Sequence, residues 1–162
     1  MKTNHNSHMG QKVTAHLEFK KDFKGKLILA DGEIGIGMNP NEARPYDLLQ
    51  GALVSCLHST LLEILTKKRI AIDSVEYHVS GEKRDEIPTT LKSVHIEALF
   101  SASDKEEQIR KSMELACKYC SVYNTLAQVA EMKMTVSFKP YDTLKNTEEV
   151  KTKLNTSTTN SH

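Results

Sequence analysis

Residues 45–68 read PYDLLQGALVSCLHSTLLEILTKK, and most of the architecture follows from this stretch. A proline costs nothing at the first position of a helix, where the N–H is unpaired anyway, so the pattern predicts a helix from Pro45 to about Lys68. Its apolar side chains fall at about 100° intervals and nearly surround the axis, which predicts burial on most sides. Asp47 in the first turn and lysines in the last suit the helix dipole.

Cys56 lies in the apolar middle of this predicted helix. A free cysteine in such a place is commonly a small buried hydrophobe, and a reactive thiol is the alternative. His58 is two residues away, so its ring points about 200° from the thiol, and a local Cys-His dyad is not expected. Glu63 returns to the same face about two turns later. It either addresses the thiol or occupies an exposed or interface position.

A second helical segment leads to another informative cysteine. Ser103 and Glu106 have the spacing of a capping box, and apolar residues follow at helical intervals as far as Cys117. Cys120 lies at or just beyond the end of this run, and the following SVYNTLAQVA can open a new helix. Unpaired N–H groups at a helix N-terminus stabilise a thiolate, which gives Cys120 a route to reactivity. The alternative is a buried cysteine at a helix junction.

Cys117 and Cys120 also form a Cys-x-x-Cys motif. A thioredoxin-type site needs a strand leading into the helix that carries the pair, whereas this pair falls at the end of an amphipathic helix. A zinc site needs a second ligand pair, and the sequence contains no partner Cys-x-x-Cys or His-x-x-x-His. No metal site is therefore predicted. Cys117 is interpreted as a core residue or as a third thiol that takes part in exchange.

The remaining sequence predicts one α+β domain. Alternating apolar and polar residues indicate strands at 13–20, 26–31, 72–81, 91–100 and 132–139. Asp31-Gly32 is a turn signal, Gly35 to Gly37 begin a flexible loop, and 82–90 read as a hairpin connection. We expect residues 12–139 to form the domain, residues 1–11 to be a disordered arm or cloning remnant, and residues 140–162 to be a polar, disordered tail.

Composition excludes several classes of function. The formal net charge of +1 argues against nucleic-acid binding by general electrostatics. No stretch is expected to reach the length of a membrane span, which predicts a soluble protein without a membrane partner. Three cysteines, an odd number, suit a reducing compartment better than a disulfide scaffold, so a cytoplasmic location is expected.

Two motifs resemble those of the OsmC/Ohr family. The stretch from Pro45 to Cys56, PYDLLQGALVSC, resembles the family's Pro-x-Glu-Leu-Leu and Ala-Ala-Leu-Ala-x-Cys signature. The stretch from Cys120 to Leu126 resembles its second cysteine motif, usually Cys-Pro followed by a short helix. The interval of about sixty residues between the two cysteines agrees as well. The resemblance spans approximately residues 13–139.

This resemblance implies an OsmC-like fold, with antiparallel sheets around two central helices, in an intertwined homodimer. It also implies a thiol-dependent peroxidase of the oxidative stress response that acts on small hydrophobic organic hydroperoxides without a bound cofactor. Carried over by position, Cys56 would be the peroxidatic nucleophile and Cys120 the resolving thiol. An external dithiol would reduce the resulting disulfide. A helix that is apolar all round is consistent with a second subunit completing its burial, and the alternative is that both sheets of one chain cover it.

The sequence departs from the pattern of the peroxidase branch, which has an Arg-Glu pair acting on the nucleophile. Residues 13–37 contain no arginine, and Tyr46 follows the helix-opening proline. Asp47 matches an acidic residue one place later, and Arg44 could substitute only by a different approach. Without a nearby cation, the buried Cys56 thiol is expected to stay protonated and slow. The alternative interpretation is a non-enzymatic dimeric module that holds a small hydrophobic ligand or senses redox state.

Overall fold

The computed structural model describes residues 10–141. Its elements in chain order are β1 (His16–Phe19), β2 (Gly25–Ile28), β3 (Glu33–Ile36), α1 (Pro45–Lys68), β4 (Val75–Lys83), β5 (Leu91–Phe100), α2 (Glu106–Tyr119), α3 (Ser121–Leu126) and β6 (Glu131–Phe138). The predicted α+β class is therefore confirmed. Nearly all of the expected N-terminal arm and C-terminal tail lies outside the described residues. The chain divides after Leu49 into two compact units.

The first unit contains a three-stranded antiparallel sheet of order β1-β2-β3. Its third strand includes residues that the sequence assigned to the beginning of a flexible loop, because Ile34 and Ile36 alternate around Gly35 and pair with β2. Ile36 is buried at 2% exposure. The predicted turn at Gly32 is present, with φ of 108°, a conformation that glycine adopts without steric cost.

The second unit contains a sheet of order β4-β5-β6 in which β4 and β5 are antiparallel and β5 and β6 are parallel. The β4–β5 pairing agrees with the predicted hairpin connection. The parallel pair departs from the expected antiparallel sheets, because α2 and α3 form a crossover that returns the chain to the end of the sheet where β5 began. The central strand is the most buried, with one face formed by Val94, Ile96, Ala98 and Phe100.

The bounds of α1 agree with the sequence prediction, Pro45 to Lys68. The predicted burial on most sides of the helix is not observed. One stripe is at most 1% exposed, formed by Leu53, Leu57, Leu61 and Leu65, whereas Leu62 is 42% exposed. Residues four apart lie on one face of a helix, so the single chain covers one side of α1 and leaves other apolar side chains partly open.

By length and composition, α1 could cross a membrane, so the expectation that no segment approaches that length is wrong. The core helix of a soluble protein satisfies the same criterion. Four leucines of α1 are buried within this α+β fold, as in a helix of that kind.

The beginning of α2 also differs from the prediction. Ser103 does not cap the helix, because its Oγ accepts the N–H of Lys105 at 3.1 Å, and Lys105 itself occupies the N-cap position without a side-chain cap. The end of α2 is as predicted. Cys120 is the last residue to continue the helical pattern, with its N–H donating to Ala116 O at 2.8 Å.

Candidate functional site

Cys120 forms the junction between two helices. Its backbone, at φ −68° and ψ 120°, ends α2, and the same residue is the N-cap of α3. Its Sγ accepts a hydrogen bond from the backbone N–H of Tyr123 at 3.4 Å. The side chain is buried, with 0% exposure. The short helix α3 is therefore held against the sulfur of Cys120 from its first turn.

The Asn124 side chain fixes the geometry of this junction. Its Nδ2 donates to three carbonyl oxygens at the end of α2, those of Cys117 at 3.1 Å, Lys118 at 3.0 Å and Cys120 at 2.8 Å. The carbonyl groups of Cys117 and Lys118 lie in the last turn of α2, where helical partners run out, and Asn124 supplies a donor there. The Cys120 carbonyl also accepts the backbone N–H of Asn124 at 3.1 Å. One side chain of α3 thereby holds the turn that carries two of the three cysteines.

Cys56 of α1 contacts this junction, although it precedes Ser121 by 65 residues in the sequence. Its Sγ lies 3.7 Å from Ser121 Oγ. The Cys120 thiol also interacts with the Cys56 sulfur as a hydrogen-bond donor. Cys56 is only partly buried. The structure thus brings together the two cysteines singled out from the sequence, one partly open and the other fully enclosed.

The surroundings of Cys56 favour its thiolate. Its pKa is lowered from the ordinary 9.0, chiefly because the backbone N–H of Val122 acts on the sulfur as a hydrogen-bond donor. Partial burial opposes this effect, and the Cys120 thiol and the hydroxyl and N–H of Ser121 add to it. Hydrogen-bond donors at the start of α3 therefore stabilise the Cys56 thiolate, a role that in the peroxidase branch of the family was expected of an arginine.

The surroundings of Cys120 favour its neutral thiol. Burial raises the pKa of Cys120, the N–H of Tyr123 partly offsets that effect, and the adjacent Cys56 raises it further. From the sequence, the N-terminus of α3 was expected to stabilise the Cys120 thiolate. In the structure the N–H groups of Ser121 and Val122 act on the Cys56 sulfur, whereas the Cys120 side chain is enclosed and its pKa is raised.

Cys117 lies one turn before Cys120 in α2 and borders a cavity. Burial raises its pKa to about 11, although the Tyr123 hydroxyl lowers it in part. It lines a cavity of about 390 Å³ together with Arg110, Met113, Glu114, Tyr123, Met134 and Val136. Neither Cys56 nor Cys120 lines this cavity. Cys117 is therefore more than a core residue, since part of its surroundings is open.

His58 takes no part in activating Cys56, as its place on the helix predicts. Its Nδ1 lies 3.1 Å from the Tyr77 hydroxyl, and the two rings meet edge to face with centroids 5.7 Å apart. Burial, with a contribution from the charge of Cys117, raises the pKa of Tyr77. These contacts connect α1 to β4 and point away from the thiol.

The other candidates from the sequence make local contacts. Asp47 Oδ2 accepts the backbone N–H of Arg44 at 2.8 Å, which caps the beginning of α1. Glu63 is exposed and lies about 10 Å along the helix axis from Cys56, so it occupies the surface position that was one of its two expected placements. Two arginines that the sequence did not single out bind distant backbone carbonyl groups: Arg84 donates to Val129 O, and Arg110 donates to a carbonyl of β6. Within residues 10–141, no group of three or more His, Cys, Asp or Glu side chains could hold a metal ion.

Sequence reasoning missed Ser121 and the backbone of Val122 as groups that act on Cys56. The sequence does contain a feature that indicates Ser121. A serine stands where the usual motif has proline after the second cysteine, and proline has no N–H to donate. Ser121 therefore provides both a hydroxyl and an N–H at a position that ordinarily has neither. The contribution of Val122 depends on how α3 lies against α1, which no local pattern encodes.

The sequence pattern of the OsmC-like protein family matches residues 37–135. The OsmC-like protein of Mycoplasma pneumoniae is similar in structure, with a TM-score of 0.72, 18% identity, and coverage of 82% of this chain and 100% of that one. A hypothetical protein from Aquifex aeolicus VF5 has a TM-score of 0.71 and 22% identity over 80% and 98%.

The organic hydroperoxide resistance protein OhrB of Bacillus subtilis is also similar, with a TM-score of 0.58 and 21% identity over 77% of this chain and 98% of that one. At such identities these three likenesses concern the fold. None of the curated proteins matches the chain significantly in sequence.

Proposed function

The chain belongs to the OsmC-like protein family, and from that premise we propose that it is a thiol-dependent peroxidase that reduces organic hydroperoxides through Cys56 and Cys120. Several proteins with similar structures are described as organic hydroperoxide resistance proteins. The observation that carries the proposal is the contact between two thiols of opposite character. Cys56 has a lowered pKa and is partly open, whereas Cys120 has a raised pKa and is enclosed.

In the first step, the Cys56 thiolate attacks the terminal oxygen of the hydroperoxide. An S–O bond forms, the O–O bond breaks, and the alkoxide leaves and takes up a proton to become an alcohol. Cys56 becomes a sulfenic acid. The N–H groups of Ser121 and Val122 favour this step, because they increase the fraction of Cys56 present as thiolate at neutral pH.

In the second step, the Cys120 sulfur attacks the sulfenic sulfur of Cys56. An S–S bond forms, and the hydroxyl group leaves with a proton as water. Burial keeps Cys120 protonated until this point, so it does not compete for peroxide. An external dithiol then reduces the disulfide by exchange, which restores both thiols.

We also infer that the active form is a homodimer and that the substrate is hydrophobic. The single chain leaves Leu62 of α1 42% exposed, together with large apolar side chains of the first unit: Leu17, Phe19, Phe23, Leu29, Ile34 and Met38. So many open apolar residues favour cover by a second copy. Apolar surroundings of Cys56 in such a dimer suit an organic peroxide better than hydrogen peroxide.

The test is turnover of cumene hydroperoxide by the reduced protein with dihydrolipoamide as reductant. Cys56→Ser is expected to abolish turnover. The Cys120→Ser variant is expected to consume one equivalent of hydroperoxide and then to stop reacting. Dimedone should trap the sulfenic acid left on Cys56, and mass spectrometry would detect the adduct. Hydrogen peroxide serves as the comparison substrate and is expected to react more slowly.

Turnover by the Cys56→Ser variant, or none by the wild type, would contradict the peroxidase proposal. If Cys56 were also inert to alkylation in the folded protein, the alternative of a ligand-binding module would gain support. The cavity beside Cys117, lined mostly by apolar side chains such as Met113, Met134 and Val136, is the space such a ligand would occupy.

A further inference from the structure

All three cysteines of the chain meet around α3. Cys56 interacts with Cys120, and the charge of Cys120 in turn acts on Cys117. Tyr123 contacts two of these thiols, with its backbone N–H on Cys120 and its hydroxyl on Cys117. The peroxidase steps described above use only Cys56 and Cys120. They leave unexplained a third thiol that lies one helical turn from the buried member of the pair.

We propose that Cys117 is a second resolving thiol, which attacks Cys120 in the Cys56–Cys120 disulfide and moves the bond to Cys117–Cys120. The inference rests on the proposed peroxidase function. The Cys117 thiol loses its proton to solvent, and its sulfur forms a bond to the Cys120 sulfur. The bond from Cys120 to Cys56 breaks, and the electron pair leaves with Cys56 as its thiolate. The exchange consumes no oxidant or reductant.

The geometry at the end of α2 permits the new bond. Residues three apart on a helix have Cβ atoms about 5–6 Å apart, whereas a disulfide requires about 3.5–4.5 Å. The turn must therefore close by about 1–2 Å. Cys120 can make this movement because it is the C-cap, the last residue held by a helical hydrogen bond of α2, and with ψ at 120° no further turn of α2 follows it to resist the closure. Asn124 holds the carbonyl groups of both cysteines and keeps them in register.

The difference in thiol acidity sets the direction of the exchange. A disulfide expels the more acidic thiol more readily, and Cys56 is the thiol with the lowered pKa. Cys117, with a pKa of about 11, is rarely a thiolate at neutral pH, although it is a strong nucleophile when it is one. Because the attack is intramolecular, the high effective concentration offsets the small thiolate fraction.

The exchange would give a reductant a second place to attack. Cys120 is 0% exposed, so an external dithiol cannot approach its sulfur directly. Cys117 lines the 390 Å³ cavity, which is open to solvent. A Cys117–Cys120 disulfide would therefore present one accessible sulfur, while Cys56 would already be free to meet another peroxide.

Disulfide mapping by mass spectrometry tests the proposal. The reduced protein is treated with one equivalent of cumene hydroperoxide, or separately with diamide, then alkylated and digested with trypsin. Because Lys118 separates the two cysteines, cleavage after it turns a Cys117–Cys120 disulfide into a linked pair of peptides. The expected result in both treatments is this linked pair, with Cys56 alkylated.

Stoichiometry provides a second readout. Without reductant, the wild type is expected to consume about two equivalents of hydroperoxide per chain, because the exchange frees Cys56 to react again. The second equivalent leaves a sulfenic acid on Cys56 that dimedone traps. Cys117→Ser is expected to consume about one equivalent and to show no dimedone adduct. Cys117→Val repeats the test with an apolar side chain. Tyr119→Phe, an exposed change in the same turn, is the matched control and should behave as the wild type.

The outcomes separate this inference from the proposed function. A final Cys56–Cys120 disulfide with Cys117 alkylated, and one equivalent consumed by wild type and Cys117→Ser alike, would overturn the exchange and leave the peroxidase intact. A Cys117–Cys120 disulfide that forms with diamide in the wild type but not in Cys56→Ser, with no reaction with hydroperoxide, would support the exchange and contradict the peroxidase. No linked pair with either oxidant would overturn the exchange.

Discussion

At the scale of single residues, the three thiols of one chain differ because of what lies within a few ångströms of each. Hydrogen-bond donors of Val122 and Ser121 lower the pKa of Cys56, while burial raises the pKa values of Cys117 and Cys120. The folded state thus stabilises the Cys56 thiolate. That contribution to stability is full above the ordinary pKa of 9.0 and is lost as the pH falls through the lower folded value.

This difference predicts an order of alkylation. Iodoacetamide reacts with thiolates, so Cys56 is expected to be modified first, with a pH midpoint below 9.0. Cys117, whose pKa is about 11, should lag by roughly two pH units or more. Peptide mass spectrometry of the folded protein between pH 6 and 10, roughly the range over which a shifted thiol titrates, measures the order.

Ser121→Pro tests the source of the Cys56 shift. Proline suits the first position of α3 but removes the N–H and the hydroxyl that act on Cys56, so the alkylation midpoint should rise. Ser121→Ala removes the hydroxyl alone and should raise the midpoint less. An unchanged midpoint in both variants would show that the hydroxyl and N–H of Ser121 do not contribute to the acidity of Cys56.

At the scale of elements, the α2–α3 junction depends on one side chain. Asn124 satisfies three carbonyl groups at the end of α2. We expect Asn124→Ala to reduce the free energy of unfolding by about 1–3 kcal/mol, because the carbonyl groups of Cys117 and Lys118 lose this donor, while the Cys120 carbonyl keeps the backbone N–H of residue 124. Urea denaturation followed by circular dichroism gives the change. Gln128→Ala, which loses one longer bond of 3.4 Å, is the control and should cost less.

The elements also show where sequence reasoning succeeds. The bounds of α1 were predictable because Pro45 and the terminal lysines mark its ends. The end of the third strand was assigned to a loop, because Gly35 and Gly37 indicate one when the pairing with β2 is unknown. The parallel β5–β6 pair was missed because direction depends on the crossover through α2 and α3. Motif resemblance identified both Cys56 and Cys120, but their opposite acidities depend on contacts between residues far apart in sequence.

At the scale of the whole molecule, the exposed apolar residues favour a homodimer. Light scattering is expected to give a mass twice that of the 18.2 kDa chain. Leu62→Glu places a charge on the open side of α1 and should shift the protein toward monomer, because burying an unpaired carboxylate is costly. Ile87→Glu, at a side chain that is 96% exposed, is the control. A dimer unaffected by Leu62→Glu would place the interface elsewhere.

The buried leucine stripe of α1 has a consequence for how the chain is made. The helix contacts Tyr77, Ser112 and Ser121, all of which are synthesised after it. Some 70 residues separate Lys68 from the end of β6, so on a ribosome α1 lacks these contacts for on the order of ten seconds. A helix apolar enough to enter a bilayer is thus exposed to the cell before its partners exist. Synthesis of this protein should accordingly depend on chaperones that bind nascent apolar segments.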